Sequence, residues 1–101
     1  MRIIFEWDEQ KAKSNIRKHG VSFDEGKTVF MDPFSITIPD PDHSANEERF
    51  VDIGSSVSRA ILVVVYAERD AIIRIISCRK ATPSERRSYE KGYDQEVERK
   101  R

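Results

Sequence analysis

Apolar and polar positions along the chain repeat with two periods, one typical of strands and one typical of helices. Five stretches alternate or carry runs of β-branched residues, and three others begin with helix-capping residues. The order β-α-α-β-β-β-β-α predicts an α+β fold, an antiparallel meander with two N-terminal helices and one C-terminal helix packed on one face. The predicted strands are residues 2–7, 34–38, 49–53, 60–66 and 72–79, and the predicted helices are residues 9–19, 22–31 and a last helix that begins at Pro83.

The helix boundaries come from capping residues. Asp8 is the expected N-cap of the first helix, since its side chain can accept hydrogen bonds from the free N–H groups of the first turn. Ser22 and Thr82 are each followed three residues later by a glutamate, Glu25 or Glu85, and each pair completes a capping box. These pairs predict where the second and third helices begin.

The stretch 71–89, AIIRIISCRKATPSERRSY, is the most informative because a strand leads directly into a helix. Strict alternation along the strand places Arg79 on the face of Ile73, and Arg74 on the opposite face with Cys78. Arg79 also lies next to the N-terminus of the following helix, whose free N–H groups and dipole attract anions. The stretch therefore predicts a phosphate-binding site where the strand meets the helix.

Hairpin geometry extends this site. A tight turn at residues 69–70 would bring Arg79 and Lys80 beside Arg59, at one end of the sheet. The same register places Arg74 near the middle of the sheet. The sequence thus predicts a cluster of basic side chains beside the last helix.

Composition and charge limit the class of protein. A chain of 101 residues is enough for one domain, residues 1–101, and its charged end, 94–101, is expected to fray. The net charge is zero, but residues 1–58 carry seven basic and eleven acidic side chains, and residues 59–101 carry eleven basic and seven acidic. This balance argues against indiscriminate coating of nucleic acid and allows contacts with a few phosphates.

Signals for membrane insertion, disulfides and metal binding are missing from the sequence. The longest apolar run, Ala60–Ala67, is far shorter than the ~20 residues of a membrane-spanning helix. Cys78 is the only cysteine, which excludes an intrachain disulfide and fits a reducing cytoplasm. His19 and His43, the only histidines, lack the spacing of a metal site, so neither a metal nor another cofactor is expected.

Three segments resemble the BrnT toxin family: FEWDEQKAKSNIRKHGVSFDE at 5–25, DHSANEERFVDIGSS at 42–56 and RIISCRKATPSERRSYE at 74–90. The resemblance implies the toxin of a type II toxin–antitoxin module, similar in fold to RelE-type ribonucleases. Such a toxin would be an endoribonuclease that inhibits translation in the cytoplasm. It would be neutralised by a BrnA-like ribbon-helix-helix antitoxin and would meet DNA only through that antitoxin. Gly26 and Cys78 depart from the family pattern, which usually has alanine at both positions.

Cleaving RNA without a metal requires a base for the 2′-hydroxyl, a proton donor for the leaving 5′-oxygen, and cations for the phosphate. Arginine is the side chain best suited to bidentate phosphate contact. We therefore expect Arg79 and Arg59 to hold the reacting phosphate. Arg74, Lys80 and Arg86 are the expected further contacts with the substrate.

The proton-transfer groups are less well defined by the sequence. His43 is a candidate because its charge changes near neutral pH, although a lone loop histidine can also be plain surface. Glu48 could serve as the base instead, and Tyr89 as a proton donor or a stacking platform, or simply as packing for the last helix. For Arg79 the alternative is a structural ion pair with Glu85.

Two functions are compatible with these residues. The first is a metal-independent endoribonuclease. The second is a non-catalytic partner that binds the antitoxin in an autoregulatory repressor complex. Without the family resemblance, the residues alone indicate only a cationic edge of a sheet.

Overall fold

A computed structural model describes residues 3–40 and 47–99 of the chain, with side-chain surroundings up to residue 94. The predicted α+β fold is confirmed, and the second predicted helix is divided into one α-helical turn and a 3₁₀ helix. The elements are β1 (Ile4–Glu6), α1 (Glu9–His19), α2 (Phe23–Gly26), a 3₁₀ helix (Lys27–Met31), β2 (Ile36–Pro39), β3 (Glu48–Ser55), β4 (Ile61–Arg69), β5 (Ile72–Lys80) and α3 (Pro83–Arg99). None of the helices in these ranges combines the length and apolar character needed to cross a membrane.

The five strands form one mixed sheet in the order β1-β5-β4-β3-β2. Strands β2 to β5 are the predicted antiparallel meander. Strand β1 is not part of the meander, since it pairs in parallel with β5 at the edge. The chain reaches this edge first, crosses one face through α1, and returns to it only with β5.

Helices cover both faces of the sheet, so the prediction of helices on one face was wrong. One core lies beneath α1, α2 and the 3₁₀ helix, with Phe23, Leu62 and Ile75 among its fully buried side chains. A smaller core on the other face joins Ile53 and Val63 to Tyr89 of α3. Alternation along β3 and β4 supplies apolar side chains to both cores, which the sequence pattern alone did not assign to separate layers.

A β-bulge in the β4–β5 hairpin changes the predicted faces and register. Val65 pairs with Ser77 and Tyr66 with Ile75, so Ile76 is an extra residue that reverses the alternation along β5. Arg79 therefore faces away from Ile75 and lies on the same face as Arg74, contrary to the prediction.

The residues that pair across the β4–β5 hairpin also differ from the predicted ones. The turn lies at residues 70–71, one residue later than predicted, and Asp70 adopts a left-handed conformation with φ 56°. With the bulge, this shift pairs Arg79 with Val63. Arg59 lies in the turn between β3 and β4, in a left-handed conformation with φ 67°, and Val63 is four residues further along the chain.

Candidate active site

Strand pairing aligns side chains on the face of the sheet that α3 partly covers. In an antiparallel sheet, directly paired residues point to the same side. One row across β3, β4 and β5 consists of Ile53, Val63 and Arg79, and lies beneath α3. The next row consists of Val51, Val65 and Ser77, and a third of Arg49, Ala67, Arg74 and the β1 residue Glu6.

Four arginines and a serine thus share one face of the sheet. We call Arg49, Arg69, Arg74, Ser77 and Arg79 the arginine face. Arg49 and Arg74 are separated by one strand, or about 10 Å, and Arg74 lies roughly 15 Å from Arg79 along β5. A surface of this size with four cations suits a short segment of a phosphate-bearing chain.

The side chain of Arg79 is held by several contacts. Its Nη1 and Nη2 atoms donate to Oε1 and Oε2 of Glu85 at 2.7 and 2.8 Å, and Nη1 also donates to the Lys80 carbonyl at 3.3 Å. These hydrogen bonds raise the pKa of Arg79 and lower the pKa of Glu85 to about 2. Glu85 is therefore ionised at physiological pH and cannot act as a general acid.

The pair with Glu85 leaves one edge of the Arg79 guanidinium free. The carboxylate occupies the edge formed by Nη1 and Nη2, whereas Nε–H and the second Nη2 hydrogen have no partner among the described residues. The side chain is 38% exposed. This second edge, which we call the outer edge, presents two parallel donors, the arrangement that binds a phosphate in bidentate fashion.

Lys80 and Arg86 lie together at the end of the sheet. Both line a small cleft of about 230 Å³ with Ile61 and Ala81. The exposed Arg59 lies near this cleft, since the cleft also includes the adjacent Ala60. Arg59 therefore does not pair with Arg79 as predicted, and Lys80 pairs with Leu62, so it points to the opposite face of the sheet from Arg79.

Glu48 does not lie with the arginines. It is exposed at the start of β3 opposite Glu68, at the far end of the strand from Arg79. Alternation also places it on the opposite face from Arg49. The structure therefore does not bring Glu48, the alternative candidate for the base, together with Arg79.

Tyr89 has the contacts of a packing residue. It is 6% exposed, and its hydroxyl donates to Oδ2 of Asp32 at 2.7 Å. Burial and this hydrogen bond raise its pKa. Of the roles considered for Tyr89, the structure shows the packing of α3 against the sheet. His43 lies outside the described residues.

Arg49 lies on the arginine face but is not among the predicted site residues. Its Nε–H is buried without a hydrogen-bond partner among the described residues. Alternation with Val51 and Ile53 indicates its face, but only the pairing with Ala67 shows that it lies across β4 from Arg74.

Arg74 is held less tightly than Arg79. Its Nη1 lies 3.5 Å from Oε2 of Glu6, and both side chains are about half exposed. Such exposed pairs are worth about 0–1 kcal/mol, so a phosphate can replace the carboxylate at little cost. Arg74 is thus accessible to a ligand on the arginine face.

A helix-flanked meander with arginines on an open sheet face defines a class of small α+β proteins suited to binding a phosphate backbone. Residues 7–85 match the family described as "Ribonuclease toxin, BrnT, of type II toxin-antitoxin system". This match covers most of the chain, and the chain belongs to that family. A crystal structure of the Brucella abortus ribonuclease toxin BrnT is similar, with a TM-score of 0.63 and 25% identity over 80% of this chain and 99% of that chain.

A comparison with proteins of curated function gave no match. The family and the fold nevertheless confirm the resemblance in the sequence and the α+β prediction. The general function is that of a ribonuclease toxin of a type II toxin–antitoxin system, which implies RNA as substrate and an antitoxin as partner.

Proposed function

We propose that this protein is a metal-independent endoribonuclease that holds the scissile phosphate on the outer edge of Arg79. The observation that supports this most directly is the pair of free donors on a guanidinium already fixed by Glu85 and the Lys80 carbonyl. A donor pair that is held before substrate binds needs little reorganisation as charge develops on the phosphate oxygens.

The reaction proposed here is an internal transfer within RNA. The 2′-oxygen forms a bond to phosphorus as the bond to the 5′-oxygen breaks, and the 2′-hydroxyl proton passes to a base while the leaving oxygen gains one. Arg79 would stabilise the negative charge on the phosphate oxygens. His43 remains the proposed proton-transfer group, on sequence grounds alone. The products would carry a 2′,3′-cyclic phosphate and a 5′-hydroxyl.

The remaining basic residues would hold the flanking RNA. Arg49 and Arg74 face the same side as Arg79 and can contact neighbouring phosphates. Lys80, Arg86 and Arg59 would add positive charge at the end of the sheet, where Lys80 and Arg86 line one cleft. Contacts of this kind position the chain without reading its sequence.

The test is cleavage of a labelled RNA oligonucleotide by purified protein in excess EDTA. We expect cleavage to proceed, and the 3′ fragment to carry a 5′-hydroxyl that polynucleotide kinase can phosphorylate directly. Activity that disappears in EDTA and returns on adding Mg²⁺ would contradict the metal-independent mechanism. The same protein after heat denaturation controls for a contaminating nuclease that survives heating.

Replacing Arg49 by methionine should weaken RNA binding without weakening the fold. The buried Nε–H has no partner, and an unsatisfied donor costs about 1–3 kcal/mol, so its removal should leave the free energy of unfolding unchanged or higher. Loss of one phosphate contact should lower the slope of log Kd against log salt concentration by about 0.7 for single-stranded RNA. Titration with a fully 2′-O-methylated oligonucleotide, which cannot be cut, measures this slope.

The matched control for Arg49 is Arg17→Met, which removes an exposed arginine from the last turn of α1. This variant should keep the salt dependence of the unmodified protein. An Arg49→Met protein that binds RNA with the same slope, or that is clearly less stable, would remove Arg49 from the proposed binding surface.

We also propose that a BrnA-like ribbon-helix-helix antitoxin covers the arginine face, in the cytoplasm, and links the toxin to DNA. Three exposed isoleucines on this side, Ile4, Ile38 and Ile72, give the surface an apolar component suited to a protein partner. The alternative function, a non-catalytic repressor partner, would use the same surface. It is favoured if the free protein never cuts RNA although it binds the antitoxin.

Labelling of an introduced thiol tests this contact. The native Cys78 is fully buried, and burial raises its pKa to about 12, so it should not react in the folded protein. A Ser77→Cys variant should react with a thiol reagent when free and be protected when the antitoxin is bound. Unchanged labelling in the complex would place the antitoxin elsewhere.

A further inference from the structure

Glu85 has contacts in two directions at the start of α3. Its Oε1 accepts a hydrogen bond from the backbone N–H of Thr82 at 2.8 Å, and its own N–H donates to the Thr82 hydroxyl at 3.2 Å. Both carboxylate oxygens also accept from Arg79. The capping box thus anchors a carboxylate whose other contact is the proposed phosphate-binding arginine.

The alignment of Arg79 follows from this anchor. Two parallel hydrogen bonds to a carboxylate bring the guanidinium close to the carboxylate plane, and the bond from Nη1 to the Lys80 carbonyl is a third contact. Arginine side chains lose rotamer freedom when they are ordered. In the folded protein Arg79 is already ordered, so this side-chain entropy is lost before any ligand binds.

We propose that Glu85 is a positioning residue that orients the outer edge of Arg79 toward the RNA phosphate. This inference deepens the proposed function and rests on it. Glu85 does not touch the reacting atoms and transfers no proton, since its pKa of about 2 keeps it ionised. Glu85 does not compete with the phosphate for Arg79, because its carboxylate binds the edge formed by Nη1 and Nη2 and leaves the outer edge free.

The first test is a double-mutant cycle on the rate of RNA cleavage in single-turnover conditions. Glu85→Gln keeps the shape of the side chain but turns one acceptor into a donor, which cannot pair with a guanidinium. We expect the rate constant to fall roughly tenfold through misalignment, with RNA affinity changed much less. Because Glu85 would act through Arg79, the double variant with Arg79→Ala should be no slower than Arg79→Ala alone.

Glu90→Gln is the matched control. It makes the same change of charge on the same helix, and Glu90 pairs only loosely with Arg86, at 4.0 Å. Its cleavage rate should stay within about twofold of the unmodified protein. A Glu85→Gln protein that cuts as fast or faster, or a double variant with additive losses, would overturn the positioning role.

The second test does not depend on activity. In ¹⁵N–¹H spectra of arginine side chains, the Arg79 guanidinium should show slowed rotation and separate Nη hydrogens, assigned by their loss in Arg79→Lys. Glu85→Gln should abolish this signature and Glu90→Gln should keep it. If the signature persists in Glu85→Gln, Glu85 does not position Arg79 and the inference is refuted. If the signature is lost but neither the unmodified protein nor any variant cuts RNA, only the proposed ribonuclease function is refuted.

Discussion

Replacing Arg79 by lysine should lower the rate of RNA cleavage by about 100-fold while the protein stays folded. This is the effect expected when oriented hydrogen-bond donors to the negative charge that develops on the phosphate oxygens are lost. Lysine keeps the positive charge but is a point charge without the rigid pair of donors. It can still form an ion pair with Glu85, whose side chain is 28% exposed, so the cost in stability should be small. Single-turnover cleavage of a labelled oligonucleotide and thermal unfolding measure the two effects.

Arg17→Lys is the matched control for this experiment. It makes the same chemical change at an exposed position in the last turn of α1, which packs on the other face of the sheet from Arg79. Its cleavage rate should match that of the unmodified protein. If Arg79→Lys cuts RNA equally well, the phosphate is held elsewhere and the arginine face loses its central residue.

Local sequence signals predicted the helices well because their caps act over three or four residues. Asp8 accepts hydrogen bonds from the first turn of α1, and Ser22 accepts one from Glu25 N–H. Thr82 and Glu85 form the complete reciprocal box at α3. The β2–β5 meander could also be predicted, since consecutive strands joined by short turns usually pair in antiparallel fashion.

The faces of β5 could not be predicted from alternation, because one extra residue, Ile76, reverses the alternation along the strand. The bulge decides which candidate site residues share a face. Without this bulge, Arg79 and Arg74 would lie on opposite sides of the sheet. Nothing local in a run of β-branched residues indicates where a bulge occurs, since that depends on the partner strand.

The candidate site was therefore predicted in part. Arg79 was identified from its place between a strand and a helix N-terminus, and the pair with Glu85 was considered as an alternative to phosphate binding. The structure shows that one edge of the guanidinium makes the pair while the other stays free. Arg49 was missed because its role depends on a neighbour across β4, a tertiary relation that single-sequence patterns do not contain.

The two departures from the family pattern, Gly26 and Cys78, contact each other. A Cβ atom added at Gly26 would lie 2.8 Å from Sγ of Cys78 and 3.3 Å from its Cβ. Gly26 has ordinary right-handed helical angles, φ −57° and ψ −40°. Glycine is therefore not required by the backbone here, and it makes room for the buried thiol.

Gly26→Ala alone should lower the free energy of unfolding by about 1–2 kcal/mol, because overpacking a tight core outweighs the gain in helix propensity. In a Cys78→Ala background the Sγ atom is gone, and the same change should be neutral or stabilising. The coupling between the two substitutions should therefore reach about 1–3 kcal/mol, measured by urea unfolding of the four proteins in a double-mutant cycle. Additive effects would show that helix α2 shifts to accept the methyl group, and that the glycine is not a response to the cysteine. A strong coupling would mean that alanine at position 26 alone or at position 78 alone is unfavourable, whereas alanine at both positions is tolerated. Cys78→Ala alone leaves a small cavity beside Gly26.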